Sequence, residues 1–332
     1  MARPSVFVTR RIPDAGLSLL EAHCDVEVFP EDRPIRRDEL LAAVRGRDGL
    51  LTLLTEQVDG QVMEAAGPRL RVIANMAVGY NNIDVREATR RGIAVTNTPG
   101  VLTETTADLA WALMLAVARR VVEADRYVRD GRFAGWSPTL FLGTDVWGKV
   151  LGIVGLGRIG RAVARRARGF QMHVLYYSRR RLPAPEEEEL GVQYRPLEAL
   201  LRESDFVSLH VDLNESTRHL VDERALALMK PTAFLINTSR GPVVDEQALV
   251  QALREGRLAG AGLDVFEREP EVAQELLRLP NVVLLPHIAS ATWETRSRMA
   301  RMAAENLLAA LAGRRPPHIV NPEVMAAWPA SP

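Results

Sequence analysis

Short apolar runs and amphipathic stretches alternate along the 332 residues of the chain. In the first hundred residues, the apolar runs predict strands at 6–9, 26–29, 50–54, 72–74 and 94–96. Apolar residues at helical spacing predict helices between these strands, at 16–22, 37–44 and 61–66. Strands that alternate with helices in this way are typical of a parallel sheet covered by helices on both faces.

The same alternation starts again in the second half of the chain, after a long helical segment and an irregular stretch at about 104–129 and 131–148. Further strands are predicted at 150–154, 173–177, 206–210, 233–237, 260–264 and 282–285. Further helices are predicted at 159–169, 196–201, 223–228, 246–255 and about 292–312. The acidic run at 186–189 is interpreted as a solvated loop. We therefore predict an α/β fold with two doubly wound parallel-sheet domains of the flavodoxin or Rossmann type.

A glycine-rich turn in the middle of the chain indicates where the domains divide. Because it begins at Gly155, a complete α/β unit precedes the nucleotide-binding part. We predict a substrate-binding domain made of residues 1–99 and 288–332. A dinucleotide-binding domain would comprise residues 100–287. The chain would then cross between the domains twice and leave a cleft, which is where ligands usually bind.

The charge and cysteine content exclude several classes of protein. Lysine plus arginine and aspartate plus glutamate each number 42, so the net charge is zero. Without a basic excess, nucleic acid is a poor candidate partner. Cys24 is the one cysteine, which rules out a disulfide within the chain. The longest apolar stretch, 109–118, is well short of the roughly 20 residues that span a bilayer, so we expect a cytoplasmic protein with no membrane partner.

The glycine-rich turn has the spacing of a dinucleotide-binding motif, since it comes after an apolar strand and begins a helix. In such motifs the first glycine permits a tight turn, the second lets the pyrophosphate approach, and the third allows close packing of helix on sheet. The free amides at the helix N-terminus would hold the anion. The motif consists of Gly155, Leu156, Gly157, Arg158, Ile159 and Gly160.

The residues after the next strand predict which dinucleotide is preferred. NAD sites usually carry an acid there that accepts hydrogen bonds from the ribose 2′-hydroxyl. This chain instead has Ser178 followed by Arg179, Arg180 and Arg181. Guanidinium groups bind a 2′-phosphate through charge-assisted hydrogen bonds. We therefore predict a preference for NADP(H), with NAD(H) as the alternative if these arginines are merely solvated.

An arginine, an acid and a histidine come after strands that should end at one edge of the second sheet. Arg240 comes after strand 233–237, Asp264 and Glu269 come at or beyond the end of the next, and His287 comes after the last. A guanidinium can clamp the carboxylate of a 2-oxo acid, and a histidine is suited to donate a proton at neutral pH. We assign Glu269 to orient His287. His210 ends another strand, and two roles are open for it: contact with a cofactor or packing within the domain.

These segments closely resemble the D-2-hydroxyacid dehydrogenases, and among them the glyoxylate/hydroxypyruvate reductases. The likeness covers nearly the whole chain: AVGYNNID (77–84), VLTETTADLAWALML (101–115), WGKVLGIVGLGRIG, INTSRGPVVDEQAL, AGLDVFEREP and LLPHIASAT. One departure is His210-Val211-Asp212-Leu213, where many relatives have His-x-Pro-Leu. The missing proline frees the backbone of that turn and leaves cofactor contacts there in doubt.

The resemblance implies NAD(P)H-dependent reduction of a small 2-oxo acid, with Arg240, Glu269 and His287 as the catalytic set and no metal. It implies a loop for the substrate carboxylate at Val78 and Gly79, and pocket positions at Leu53 and Ser290. Its implied cofactor contacts are Thr106, Arg158, Ile159, residues 178–181, Thr238, Ser239, Arg240, Asp264 and His287. It also implies a homodimer formed through the dinucleotide-binding domain, whose residues at about 100–148 would form the dimerisation arm. Trp136 of the arm would either reach the pocket of the other subunit or pack in the core of its own arm.

Two other kinds of function stay open at this point. One is a different D-2-hydroxyacid dehydrogenase, of the D-lactate or 3-phosphoglycerate type. The latter often carries a regulatory domain at the C-terminus, whereas about twenty residues come after the last predicted helix here. The other is a non-catalytic, NAD(H)-sensing scaffold like the corepressors of the same family. Since those relatives keep the arginine, glutamate and histidine, the sequence does not separate the two.

Overall fold

A computed structural model describes residues 3–327, which form two compact units. The first unit combines the chain up to Leu102 with the chain from Ala291 onward, and the second comprises Thr103–Ser290. Each unit is built around its own parallel β-sheet with helices, which confirms the predicted α/β class with two parallel-sheet domains. Among the helices of the described residues, none is both long enough and apolar enough to cross a membrane.

The first unit contains a five-stranded parallel sheet in the order β2-β1-β3-β4-β5. Its strands are β1 Ser5–Val8, β2 Asp25–Val28, β3 Gly49–Thr52, β4 Val72–Asn75 and β5 Ala94–Thr96. Its helices, labelled in chain order, are α1 Asp14–His23, α2 Arg37–Ala43, α3 Gly60–Ala66, α4 Val85–Arg90 and α12 Trp293–Leu311. In the register of the central strands, Phe7 lies beside Leu50 and Leu50 beside Ile73, and all three are buried.

The last helix, α12, belongs to the core of the first unit. It packs against α1 and against β3 and β4. The two helices approach so closely that a side chain at Gly16 would overlap the carbonyl oxygen of Ala300. The segment after α12 also returns to this sheet, where the Val320 amide donates to the carbonyl of Val95 at 2.7 Å. This segment is therefore bonded to β5.

The second unit contains a seven-stranded parallel sheet in the order β12-β11-β10-β9-β6-β7-β8. Its strands are β6 Val150–Val154, β7 His173–Tyr177, β8 Val192–Tyr194, β9 Phe206–Leu209, β10 Phe234–Asn237, β11 Gly260–Leu263 and β12 Val282–Leu284. Its helices are α5 Thr103–Ala118, α6 Val121–Arg129, α7 Arg158–Ala167, α8 Ala184–Leu190, α9 Leu197–Glu203, α10 Glu223–Leu228 and α11 Glu246–Arg254. The strand order reverses at β6, and ligands of open α/β sheets bind at such a switch point.

The predicted long helix at 104–129 is in fact two helices. α5 ends at Ala118 and α6 begins at Val121, after Arg120 adopts a left-handed backbone with φ 55°. That conformation is unfavourable for a non-glycine residue in a helix. The apolar pattern continues across the break, which is why the sequence predicts one helix.

The prediction of a solvated loop at 186–189 is wrong, because these residues lie in α8. The helix begins after Pro183 and ends at Gly191, whose φ of 65° suits a glycine cap. Its acidic first turn interacts favourably with the helix dipole. Glu187 is buried and accepts a hydrogen bond from the hydroxyl of Tyr176 at 2.6 Å.

Candidate active site

The glycine-rich turn joins β6 to α7 and depends on two glycines for its shape. Gly155 has a φ of 97°, and a side chain there would overlap the carbonyl oxygen of His210. A side chain at Gly160 would overlap the carbonyl oxygen of Gly155. These contacts account for the first and third glycines of the motif, the turn and the close packing of the helix.

Gly157 differs from the other two because space lies where its side chain would be. Apart from Gly157 and its two neighbours in the chain, no described residue has an atom within 4 Å of that position, and Gly157 precedes the first turn of α7. None of the described side chains caps this helix N-terminus. At the end of β10, the hydroxyl of Thr238 is buried without a hydrogen-bond partner in the described residues. Open space, an uncapped helix end and an unsatisfied hydroxyl fit a dinucleotide with its pyrophosphate at α7.

The four residues after β7 divide into two groups. Ser178 donates a hydrogen bond to the carbonyl of Arg180, so the turn is closed on itself. The side chains of Arg179 and Arg180 are exposed. Arg181 instead forms a two-point ion pair with Glu187 and lies over the ring of Tyr194 at 5.7 Å. Its guanidinium is therefore occupied within the unit.

Glu269 and His287 meet in the second unit at the carboxyl-terminal edge of the sheet. The Nδ1 atom of His287 lies 2.8 Å from Oε2 of Glu269. Both side chains keep access to solvent, at 25% exposure for His287 and 30% for Glu269. His287 has a left-handed backbone with φ 56°. Strained backbone at a residue whose side chain meets a charged partner is a recurring feature of functional sites.

The second oxygen of Glu269 is also bonded, since Oε1 accepts the Phe266 amide at 3.1 Å. Burial pushes the pKa of Glu269 upward, but the hydrogen bond and charge of His287, the Phe266 amide and the charge of Arg240 outweigh it. The net effect is a pKa below the usual range. Glu269 therefore stays an anion beside the imidazole at neutral pH.

Asp264 is fully buried at the end of β11 and braces the backbone next to His287. Its two oxygens accept the amides of Ile288 at 2.7 Å and Ala289 at 2.8 Å. Burial raises the pKa of Asp264, although those amides and the charge of His287 oppose the rise. Asp264 thus holds the histidine's backbone, whereas Glu269 contacts its ring.

Arg240 comes after β10, the strand next to β11. Its Nη1 donates to the carbonyl of Ser239 at 2.8 Å, and Asn237 shapes the turn by bonding the Arg240 carbonyl and the Ser239 amide. Burial lowers the pKa of Arg240, opposed by the charges of Glu269 and Asp212. The next residue is necessarily glycine, because a side chain at Gly241 would overlap the carbonyl of Phe266. Arg240 and Glu269 are thereby carried by two backbone segments in direct contact.

The loop after β4 turns its carbonyl groups into the first unit. The carbonyls of Ala77, Val78 and Gly79 accept hydrogen bonds from the Thr98 amide and from the side chains of Asn97 and Asn75. No acceptor among the described residues faces the amides of Val78 and Gly79. Two adjacent free amides are an arrangement of donors that can bind an anion such as a carboxylate.

Leu53 is held beside this loop in the first unit by a buried acid and an asparagine. Its amide donates to Glu56 at 2.8 Å, and its carbonyl accepts from Asn82 at 3.0 Å. Glu56, Asn82 and the asparagines at 75 and 97 were not predicted as site residues from the sequence. Polar residues at the ends of fully buried strands were the available signal, as with Asn75 after Val72-Ile73-Ala74.

The remaining predicted site residues are more scattered. Thr106 is buried in α5, and Leu156 is buried in the glycine-rich turn. Ser290 is partly buried and closes the second unit. Trp136 is 85% exposed on the irregular arm, so the alternative of a core tryptophan of its own arm is wrong.

His210 lies directly after β9 and next to Gly155, and its Nε2 lies 2.8 Å from the hydroxyl of Ser208. Burial lowers the pKa of His210 to about 4. The ring is therefore neutral at physiological pH. A neutral, internally bonded histidine is not suited to act as a proton donor.

Comparison with known proteins identifies the family. Residues 111–289 match the model described as "D-isomer specific 2-hydroxyacid dehydrogenase, NAD binding domain". The chain is 58% identical over 329 residues to a glyoxylate reductase of Korarchaeum cryptofilum, covering 98% of each protein. The chain belongs to the D-2-hydroxyacid dehydrogenase family. The resemblance inferred from the motifs is thereby confirmed.

Solved structures of similar proteins agree with this assignment. A Thermus thermophilus protein superposes with a TM-score of 0.89 at 49% identity, covering 95% of this chain and 99% of its own. An NADPH-dependent glyoxylate/hydroxypyruvate reductase of Sinorhizobium meliloti, solved with NADP and malonate, superposes with a TM-score of 0.85 at 36% identity, covering 96% and 97%. This D-2-hydroxyacid dehydrogenase is therefore an oxidoreductase, and its cofactor is a nicotinamide dinucleotide.

Proposed function

We propose that the enzyme reduces glyoxylate or hydroxypyruvate to the corresponding 2-hydroxy acid, with NADPH as the preferred cofactor and His287 as the general acid. The observation that carries the proposal is the 2.8 Å contact between Nδ1 of His287 and Glu269, close to the segment that carries Arg240. The relatives named glyoxylate reductase support this choice of substrate.

Each residue has a distinct part in the proposed reaction. The positive charge and planar fork of Arg240 bind the substrate carboxylate. In the first unit, the free amides of Val78 and Gly79 are suited to bind a carboxylate. Glu269 holds the imidazole of His287 by Nδ1, which leaves Nε2 to face the substrate. As the carbonyl carbon is reduced, His287 donates its proton to the carbonyl oxygen, and the C=O bond becomes a C–OH bond. When bound, the dinucleotide supplies the hydride.

The residues that would hold the dinucleotide are the glycine-rich turn with the first turn of α7, Ser178 to Arg180 after β7, and Thr238 with Ser239. The open space at Gly157 and the buried hydroxyl of Thr238 support this assignment. The end of β7 carries the exposed Arg179 and Arg180 and no acid that would bind the ribose 2′-hydroxyl of NADH. This supports NADPH as the preferred cofactor, because a guanidinium binds the 2′-phosphate.

We also infer a homodimer formed through the second unit. α6 has no buried residue, and it and the arm after it expose several large apolar side chains. Contiguous exposed apolar surface marks interaction sites in proteins. The exposed set is Val121, Val128, Phe133, Trp136, Leu140, Leu142 and Trp147. Sedimentation equilibrium should give twice the 36.7 kDa mass of the chain, and a monomer at micromolar concentration would refute the inference.

A substrate panel tests the activity itself. The purified protein is assayed with glyoxylate, hydroxypyruvate, pyruvate and phosphohydroxypyruvate, each with NADPH and with NADH. We expect the highest kcat/KM for glyoxylate or hydroxypyruvate with NADPH. A preference for pyruvate or phosphohydroxypyruvate would assign the enzyme to the D-lactate or 3-phosphoglycerate type. Cofactor binding without turnover of any of the four would favour the cofactor-sensing scaffold.

Replacing the proposed acid tests the mechanism. His287→Ala should lower kcat by a factor on the order of 10²–10⁴, the usual contribution of a general acid, while the cofactor still binds. His173→Ala is the matched control, since this histidine is exposed at the start of β7. Near-full activity of His287→Ala would remove the general acid from the proposal.

A further inference from the structure

The segment that carries Glu269 is held at two points by one acid from a different element. Glu246, the first residue of α11, accepts the amide of Glu267 through Oε2 at 3.0 Å. Its other oxygen accepts the amide of Ala273 at 3.3 Å. One carboxylate therefore spans the loop from 267 to 273, with Glu269 between its two attachment points. The sequence motifs give no sign of this link, because the two segments are separated along the chain.

The attachment is reciprocal. The side chain of Glu267 accepts the amide of Glu246 at 3.2 Å, so each acid bonds the backbone of the other. Two neighbouring carboxylates repel one another unless donors surround them. Here three backbone amides and one imidazole supply the donors. Nε2 of His219 lies 2.8 Å from Oε1 of Glu267, and Arg218 is 3.9 Å from the same oxygen.

His219 is itself fixed beside the Arg240 turn. It has a left-handed backbone with φ 49°, and its amide donates to the carbonyl of Pro242 at 2.8 Å. Gly241 lies against the backbone carbonyl of Phe266. The backbone amide of Phe266 donates a hydrogen bond to the side chain of Glu269. The acid pair and His219 thus join the segment of Arg240 to the segment of Glu269. We call Glu246, Glu267 and His219 the acid clamp.

We propose that Glu246 is a positioning residue for the reduction, whose carboxylate fixes the 267–273 segment so that Glu269 stays in contact with His287. Glu246 is not catalytic, since its carboxylate bonds the backbone of the loop and not the Glu269–His287 pair. The expected changes in kcat and in its pH profile rest on the proposed function, whereas the expected change in the pKa of Glu269 does not.

Loss of the acid clamp should change the pKa of Glu269, because hydrogen bonds and nearby charges keep this residue anionic. The groups that act on its carboxylate are His287, Arg240 and the Phe266 amide, and Asp264 lies close enough to feel its charge. When the segment loosens, the contacts that lower the pKa of Glu269 weaken, while burial still raises it. If the side chain instead moves into solvent, its pKa returns to the ordinary value. In both cases the pKa of Glu269 rises.

The test uses Glu246→Gln, which keeps the size of the side chain. A glutamine has one acceptor oxygen, so it can keep one of the two amide bonds and must face the other amide with its own NH₂ group. Glu223→Gln is a matched control. Glu223 is the first residue of α10 and comes after an aspartate cap, as Glu246 does in α11, but its side chain is exposed.

The first readout is the titration of the Glu269 carboxyl carbon by ¹³C NMR, assigned by comparison with Glu269→Gln. We expect its pKa to rise in Glu246→Gln and to stay unchanged in Glu223→Gln. The second readout is the pH profile of kcat/KM. The acid limb, where activity is lost at low pH as Glu269 becomes protonated, should move to higher pH in Glu246→Gln. In the same variant kcat should fall on the order of tenfold at neutral pH, because small displacements of reacting groups slow the reaction. A general loss of stability would lower the active fraction without moving the limb.

An unchanged Glu269 titration and acid limb in folded Glu246→Gln would overturn the inference. If that variant does not fold, His219→Gln replaces it, because it removes the ring from Glu267 and leaves α11 intact. The same shift, smaller in size, is expected there, and its absence would overturn the inference equally. Failure of the proposed function has a different signature. The wild-type protein would then reduce none of the 2-oxo acids, while the NMR titration, which needs no substrate, would still decide the role of Glu246.

Discussion

The guanidinium of Arg181 donates to both carboxylate oxygens of Glu187, with each nitrogen–oxygen distance at 2.9 Å. Glu187 also accepts the hydroxyl of Tyr176, and these bonds, that of Arg181 foremost, lower the pKa of Glu187 to about 2. The pair closes the turn after β7 onto α8. Of the three arginines after Ser178, Arg181 is therefore the one committed to structure, and Arg179 and Arg180 are the two left to meet a ligand.

We predict that Arg179→Ala and Arg180→Ala each lower kcat/KM for NADPH by about tenfold, because each removes a charge-assisted bond to the 2′-phosphate. The values for NADH should change little, since NADH lacks that phosphate. Arg202→Ala serves as the control, because this arginine is exposed on α9 and pairs with Glu198. A wild-type enzyme with a tenfold advantage for NADH would contradict the prediction at the outset.

Arg240→Lys should raise KM for the 2-oxo acid and lower kcat together. A lysine keeps the positive charge but loses the planar fork that bonds a carboxylate at two points. Steady-state kinetics at saturating cofactor separate the two parameters. The circular dichroism spectrum of the variant is the control for folding. An unchanged KM would show that Arg240 does not bind the substrate carboxylate.

Asn97→Ala should raise KM for the substrate roughly tenfold with little effect on cofactor binding. The variant frees the carbonyl of Val78, which Asn97 bonds at 2.7 Å, so the neighbouring amides lose their fixed orientation. Asn281→Ala is the control, because it also removes a bond from an asparagine to a backbone carbonyl, that of Ala259. An equal increase in KM for Asn281→Ala would show that the effect is not specific to the loop after β4.

His210 should make the protein less stable in mild acid. The unfolded chain binds a proton at this histidine near pH 6.5, whereas the folded chain binds it only near pH 4. The free energy of unfolding therefore falls as the pH drops from 6.5 to 4, by about 2 kcal/mol after allowing for the partial exposure of the residue. His210→Asn removes the titration and should flatten this part of the profile, measured by urea unfolding. If the free energy of unfolding of the variant fell with pH as steeply as that of the wild-type protein, the prediction would be wrong.

Buried strands were the most predictable part of the fold, because their apolar runs are continuous. Strand 94–96 has the same bounds in prediction and structure, and several others differ by one residue at an end. α4 was not predicted because Ala88 is its one buried residue, which leaves no apolar periodicity to detect. The break at Arg120 was invisible for the opposite reason, since apolar residues continue on both sides of a left-handed turn.

The meeting of Glu269 and His287 could be anticipated, because the loops after neighbouring parallel strands all begin at the same edge of the sheet. The residues that hold the site segments in place could not be anticipated from the sequence. Glu246 acts on residues more than twenty positions away, and Asn97 acts on a loop nearly twenty positions before it. Hydrogen bonds of this kind depend on how loops lie against each other after folding, and no local pattern of residue types encodes them.

The packing of α12 against α1 has a consequence for synthesis on the ribosome. The chain of the first unit is interrupted by the whole of the second, and α12 is translated after both sheets are complete. The second unit can thus fold as soon as β12 emerges, while the earlier-made sheet waits with the face of β3 and β4 uncovered. We therefore expect the second unit to fold before the first, and the N-terminal third of the nascent chain to be the part that needs protection from aggregation.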